Sequence, residues 1–177
     1  MRNKTITVFG DSITTGYPYQ NSWVNIVEKN TNFCFVNRAV NGMTLEEILY
    51  RLRKELSTIQ CHYVFFMGGT NDVYTGKKSG DLLEVTVRIL NIIKQLNLQP
   101  IIGRPVPMLY SNFETELAIY RDEISNFAPT IHFDELYYKN QNLQNHLLPD
   151  GIHPSQEGYD LMGKLATEFF SDLPDLK

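Results

Sequence analysis

Two kinds of apolar pattern alternate along the chain. Compact β-prone runs over 4–9, 33–37, 61–67, 99–104 and 130–133 predict strands. Between them, apolar residues recur every three or four positions. Leu45, Ile48, Leu49, Leu52 and Leu56 form one such stripe and predict a helix over 45–57, with Thr44 and Glu47 spaced as a capping box at its start. Leu82, Val85, Ile89, Leu90, Ile93 and Leu96 predict a helix over 81–97 that is apolar on more than one side. Leu117, Tyr120, Ile124 and Phe127 share a face of a third, near 112–127, where Ser111 and Glu114 repeat the capping-box spacing. A last helix, over about 155–171, carries Leu161, Met162, Leu165, Ala166, Phe169 and Phe170.

Strands that alternate with helices imply a parallel sheet covered on both faces, a three-layer α/β/α sandwich. Crossovers in such a sheet are right-handed, and five strands suggest the flavodoxin-like order 2-1-3-4-5. No repeat, low-complexity tract or linker divides residues 1–177, so a single domain is expected. Ligands of such sheets bind outside the carboxyl ends of the strands, at the switch point between the first and third. That rule locates a site before any motif is named.

Four polar fragments fall at this edge. Gly10-Asp11-Ser12 follows the first strand, and Asn37-Arg38-Ala39-Val40-Asn41-Gly42 the second. Gly68-Gly69-Thr70-Asn71-Asp72 follows the third, and Asp150-Gly151-Ile152-His153-Pro154 lies beyond the fifth. A serine is a weak nucleophile unless a base takes its proton, and His153 is the best base available to Ser12. Asp150, three residues before His153, can hold Nδ1–H and leave Nε2 free. The backbone N–H groups of Ser12 and Gly42 and the amide of Asn71 could receive a developing oxyanion. Each fragment alone also reads as ordinary structure: Ser12 as a helix cap, Asn41-Gly42, Asn71-Asp72 and Asp150-Gly151 as turns. Asp11 and Asp72 are expected to bond nearby backbone rather than react.

Together and in this order, these residues resemble the SGNH (or GDSL) hydrolase family. Gly10-Asp11-Ser12-Ile13 resembles its first block, with Ser12 as nucleophile. Gly42 matches the glycine of the second. Gly69-Thr70-Asn71-Asp72 matches the third, with Asn71 at the oxyanion position. Asp150-Gly151-Ile152-His153-Pro154 matches the last, with Asp150 and His153 completing a triad. The resemblance implies a flavodoxin-like sandwich that hydrolyses esters, or sometimes thioesters, without a cofactor. A serine esterase acting on short or single-chain acyl esters is therefore expected. A thioesterase, lysophospholipase or carbohydrate O-deacetylase would use the same residues. A non-catalytic ligand-binding module and a nucleotide- or flavin-binding module are the rivals from other classes. The Gly-x-Ser-x-Gly elbow of ordinary α/β-hydrolases is absent, because Thr14 stands two residues after Ser12. No Walker or dinucleotide glycine pattern is present either.

The substrate pocket is less legible. Thr15, Tyr17 and Tyr19 follow the serine, Tyr74 follows the third block, and Val106 and Met108 follow the fourth strand, which suggests an apolar, aromatic-rimmed pocket. Lys77 and Lys78 read as a solvated loop. His132 and Asp134 lack the companions of a metal motif, and none is expected.

Composition adds bounds. The 177 residues are enough for a real core, with 42% hydrophobic and 20% charged. A net charge of -4 gives no reason to expect nucleic acid. Neither a leader-like apolar segment near Met1 nor a run of the roughly 20 apolar residues that span a bilayer is seen, so a cytoplasmic protein without stable membrane insertion is expected. Cys34 and Cys61 lie in apolar runs and read as buried, reduced thiols. The oligomeric state leaves no mark on the sequence.

Overall fold

A computed structural model describes residues 4–139 and 143–173. Five strands form one parallel sheet: β1 (Thr5–Phe9), β2 (Cys34–Asn37), β3 (Tyr63–Phe66), β4 (Gln99–Gly103) and β5 (Thr130–Ile131). Their order is β2-β1-β3-β4-β5, the expected one. Ile6 lies opposite Phe35 on one side and Tyr63 on the other.

The side chains alternate between two cores, as the two-residue period of a strand requires. Val8, Tyr63, Phe65 and Ile101 face one core, and Phe9, Val64, Phe66 and Ile102 the other. Both faces being covered explains why these strands read as continuous apolar runs rather than alternating ones. The first core is closed by α2 (Trp23–Asn30) and α9 (Gln156–Ser171), through Trp23, Val27, Tyr159, Met162 and Phe170. The second is closed by α3 (Leu45–Glu55), α5 (Ser79–Gln95) and α6 (Ser111–Ile124), through Leu45, Ile48, Leu52, Ile89, Ile93 and Leu117. Each such Leu or Ile, fully withdrawn from water, contributes about 1.5–3 kcal/mol.

Helix starts show where local signals hold. Thr44 and Glu47 form the expected capping box of α3. Ser155 caps α9, accepting from Gly158 N–H. The second expected box is not made. Tyr110 is the residue before α6, and no side chain caps it. Glu114 turns instead to Met108 N–H at 2.8 Å, the Tyr138 hydroxyl at 2.8 Å and the buried Arg121. A guanidinium at 1% exposure needs an anion, and that demand outweighs a terminal hydrogen bond.

Other expectations are corrected as well. The fifth strand ends at Ile131, because Phe133 opens α7 (Phe133–Lys139), whose first turn carries Asp134 and Glu135 against the positive end of the helix. Helix α2, with its Ser22–Asn25 capping box, lay outside the four helices read from periodicity. The cysteines are free, but Cys34 is exposed and Cys61 half-buried. Cys34 opens β2, which among the described residues has a neighbouring strand on one side only.

Candidate active site

The chain turns sharply after β1. Gly10 packs so closely on Thr14 that a Cβ there would collide with its side chain. Asp11 then caps the short helix α1 (Ser12–Thr15), its Oδ1 accepting from Ile13 N–H at 3.0 Å. The cap is thus Asp11 and not Ser12, which is the first helical residue. Its hydroxyl is engaged elsewhere: Ser12 Oγ lies 2.9 Å from His153 Nε2.

His153 Nδ1 lies 2.7 Å from Asp150 Oδ2. A carboxylate beside Nδ1 places the proton on that nitrogen, and Nε2 is left to accept from the Ser12 hydroxyl. The other oxygen, Asp150 Oδ1, accepts from the N–H groups of Ile152 at 2.9 Å and His153 at 3.0 Å. Burial raises the Asp150 carboxyl, but these backbone donors and the imidazole outweigh it and hold the group below the usual carboxylate range. The turn is strapped at both ends. Leu148 N–H donates to His153 O at 2.7 Å, and Leu109 N–H, from the loop after β4, to Gly151 O at 2.9 Å.

The second and third fragments close on the same place. Val40 N–H donates to Gly10 O at 3.0 Å, tying the loop after β2 to the turn that carries Ser12. Thr15 Oγ1 reinforces the tie, 2.6 Å from Asn41 Oδ1 and 2.9 Å from Ser12 O. Gly42 follows with φ +78°, a left-handed conformation in which a side chain would be strained although space for it is open. Asn71 lies in α4 (Thr70–Tyr74). Its amide nitrogen donates to Met43 O at 3.0 Å and makes a longer contact of 3.4 Å with Asp11 Oδ2. One amide hydrogen is therefore firmly held, and the other is only weakly engaged.

The two neighbouring acids take the backbone roles expected of them. Asp72 accepts Leu45 N–H at the start of α3, at 3.1 and 3.3 Å to its two oxygens. Burial raises both Asp11 and Asp72 to about 6 despite their backbone donors.

The suggested pocket residues scatter. The Thr15 hydroxyl is spent on the loop tie just described. Tyr17 packs on His153, with ring centroids 4.7 Å apart and planes tilted by 53°. Tyr74 is exposed and lies 5.2 Å from Phe113, ring centre to ring centre, and the Tyr110 ring centre is 6.3 Å from that of Phe113. Val106 and Met108 do not line the site: at 0% and 2% exposure they fill the two cores on opposite faces of the sheet. Lys78 is paired with Glu116 at 3.2 Å. Among the described residues, no group of three or more His, Cys, Asp or Glu is placed to hold a metal ion, and no helix is long and apolar enough to cross a membrane. Sequence reasoning missed the Leu109–Gly151 strap, the Met43 carbonyl and the Tyr17–His153 pairing. All three join segments far apart in the chain, and none leaves a local pattern.

The comparisons agree with this architecture. A family model described as the GDSL-like Lipase/Acylhydrolase family matches residues 8–161. No curated protein matches the sequence. Among solved structures, a member of the lipolytic protein G-D-S-L family from Veillonella parvula is 24% identical, with a TM-score of 0.88 over 96% of this chain and 100% of that one. The lipase/acylhydrolase from Enterococcus faecalis is 22% identical, with a TM-score of 0.78 over 98% of this chain and 99% of that one. The psychrotrophic esterase EstA from Pseudoalteromonas sp., in a structure inhibited by monoethylphosphonate, is 16% identical, with a TM-score of 0.74 over 96% and 97%. At these identities the structures speak for the fold, while the family model spans most of the chain: this chain belongs to the GDSL-like lipase/acylhydrolase family.

Proposed function

We propose that the chain is a serine esterase that hydrolyses carboxylic esters through an acyl-enzyme on Ser12. Its family supports ester hydrolysis in general terms. The observation that carries the finer reading is the relay from Ser12 Oγ through His153 to Asp150, with links of 2.9 and 2.7 Å.

In this mechanism His153 Nε2 takes the proton of Ser12 as Oγ bonds to the ester carbonyl carbon. The carbonyl oxygen becomes an oxyanion held by Ser12 N–H, Gly42 N–H and the weakly engaged Asn71 amide hydrogen. Asp150 stabilises the imidazolium and keeps its orientation. The tetrahedral centre collapses, the C–O bond to the leaving group breaks, and Nε2 gives its proton to the departing alcohol. A water then repeats the attack: Nε2 takes one of its protons, its oxygen bonds to the acyl carbon, and the proton returns to Ser12 as the free acid leaves. No cofactor enters any step.

The test is hydrolysis of p-nitrophenyl esters from acetate to decanoate by the wild type beside Ser12→Ala. Turnover that disappears in the variant supports the reading. Folded wild type with no turnover on any ester overturns it.

A further inference from the structure

We propose that Tyr17 is a positioning residue for His153, its ring covering the imidazole and steadying it as it takes up the serine proton. The role rests on the reading of Ser12 and His153 as nucleophile and base.

The argument starts from the backbone. Tyr17 follows the left-handed Gly16 that closes α1, and its N–H donates to Ser12 O at 3.0 Å. It is therefore fixed to the same carbonyl that Gly16 N–H and Thr15 Oγ1 also reach, at 3.1 and 2.9 Å. Its own carbonyl accepts from the hydroxyl of Tyr159, a fully buried residue of α9, at 2.9 Å. The backbone of Tyr17 is thus pinned at both ends, to the serine helix and to the C-terminal helix. Between these pins the ring lies 4.7 Å from the His153 ring. Tyr19 takes up an edge-on contact with Tyr159 at 6.3 Å and backs the same loop.

His153 otherwise depends on one turn. Its ring is held in plane by the Asp150 contact at Nδ1 and the Ser12 contact at Nε2. Two hydrogen bonds along one axis leave the ring free to rock about the line that joins them. A neighbouring ring resists that motion and excludes water from the side it covers. An aromatic ring at 4.7 Å, tilted by 53°, also attracts the imidazolium more than the neutral imidazole, so the contact strengthens as the proton arrives. Tyr17 does this with its ring, since no hydrogen bond joins the phenol to His153. At 44% exposure the side chain is also removable without opening the core.

The experiment compares Tyr17→Leu and Tyr17→Phe with the wild type on p-nitrophenyl acetate, butyrate and octanoate, with Ser12→Ala alongside. Tyr17→Leu is expected to lower kcat about five- to tenfold by the same factor on all three esters, with KM within about twofold. Tyr17→Phe should restore kcat. In proton NMR the ring-carbon protons of His153, identified by their loss in His153→Gln, should shift in Tyr17→Leu and stay in place in Tyr17→Phe. A loss that falls on KM and grows with chain length would make Tyr17 a substrate contact and overturn the proposal. So would a Tyr17→Phe variant as slow as Tyr17→Leu, or unchanged His153 signals in Tyr17→Leu. Turnover that survives in Ser12→Ala would remove the esterase reading, and the role of Tyr17 with it. Turnover lost in Ser12→Ala but unchanged in Tyr17→Leu would remove the positioning role alone.

Discussion

Asp11 precedes Ser12 and Asp150 holds His153, so two carboxyls flank one hydrogen bond in opposite surroundings. Asp11 is 1% exposed, and burial pushes it up to about 6. The Asp150 side chain is 41% exposed, yet three donors converge on it and hold it below the usual range. Asp11 has one short donor, Ile13 N–H, and the long contact from Asn71. The difference teaches that donor number, set against desolvation, decides how readily each carboxyl takes up a proton. The group near solvent is fit to support an imidazolium. The deeper one is fit to cap a helix and steady Asn71.

The comparison can be broken most severely at the hydrogen bond itself. Ser12→Ala and His153→Ala should each lower kcat on a p-nitrophenyl ester by about 10⁶-fold, and together by no more, because such residues act as a unit. Asp150→Ala should cost about two orders of magnitude less than either, since the serine and base remain. A loss equal to that of Ser12→Ala would mean that Asp150 does more than orient and stabilise. Asn71→Ala should lower kcat about 10²–10³-fold with little change in KM, as expected for an oxyanion donor. A change confined to KM would place Asn71 on the ground-state substrate instead.

The smallest effect concerns pH, and here the two acids have opposite signs. The Asp11 carboxyl titrates higher in the fold, about 6 against an ordinary 3.8. Its contribution to stability is full below pH 3.8 and is lost as pH rises through about 6. Asp150 is held low, so its contribution is present above 3.8 and lost as pH falls through its folded value. Asp11→Asn should therefore gain on the wild type between pH 4 and 7, by about 3 kcal/mol at most, in urea unfolding followed across that range. A pH-independent difference would show that Asp11 is not the group responsible.

Much of this was legible in the sequence, for reasons that differ by element. Both faces of β1, β3 and β4 are buried, so their apolar runs are unbroken and their order follows from the βα alternation. The approach of Ser12, Asn71 and His153 to one edge of the sheet was to be expected because Ser12 and Asn71 stand just past strands, and Asp150 meets His153 because it lies three positions before it in one turn. Glu114 was misread because its spacing from Ser111 suits a cap, whereas a buried guanidinium from the next turns claims it. Val106 and Met108 were misread because a loop after β4 that enters the cores looks, in one dimension, like a loop that lines a cleft. The Tyr17–His153 contact is tertiary, between residues more than a hundred positions apart, and periodicity carries nothing about it.

The packing of α9 against α2, with Tyr159 reaching across to the loop after Ser12, bears on how the Ser12–His153 contact is assembled. Ser12 and His153 are separated by 141 positions, and translation delivers the serine early and the base late. Until the turn that carries His153 reaches the edge where the first strand ends, the Ser12 hydroxyl lacks the imidazole that it meets in the folded chain. The Ser12–His153 contact is therefore a long-range product of the whole fold, and its formation can report that the first and last strand-edge fragments have come together.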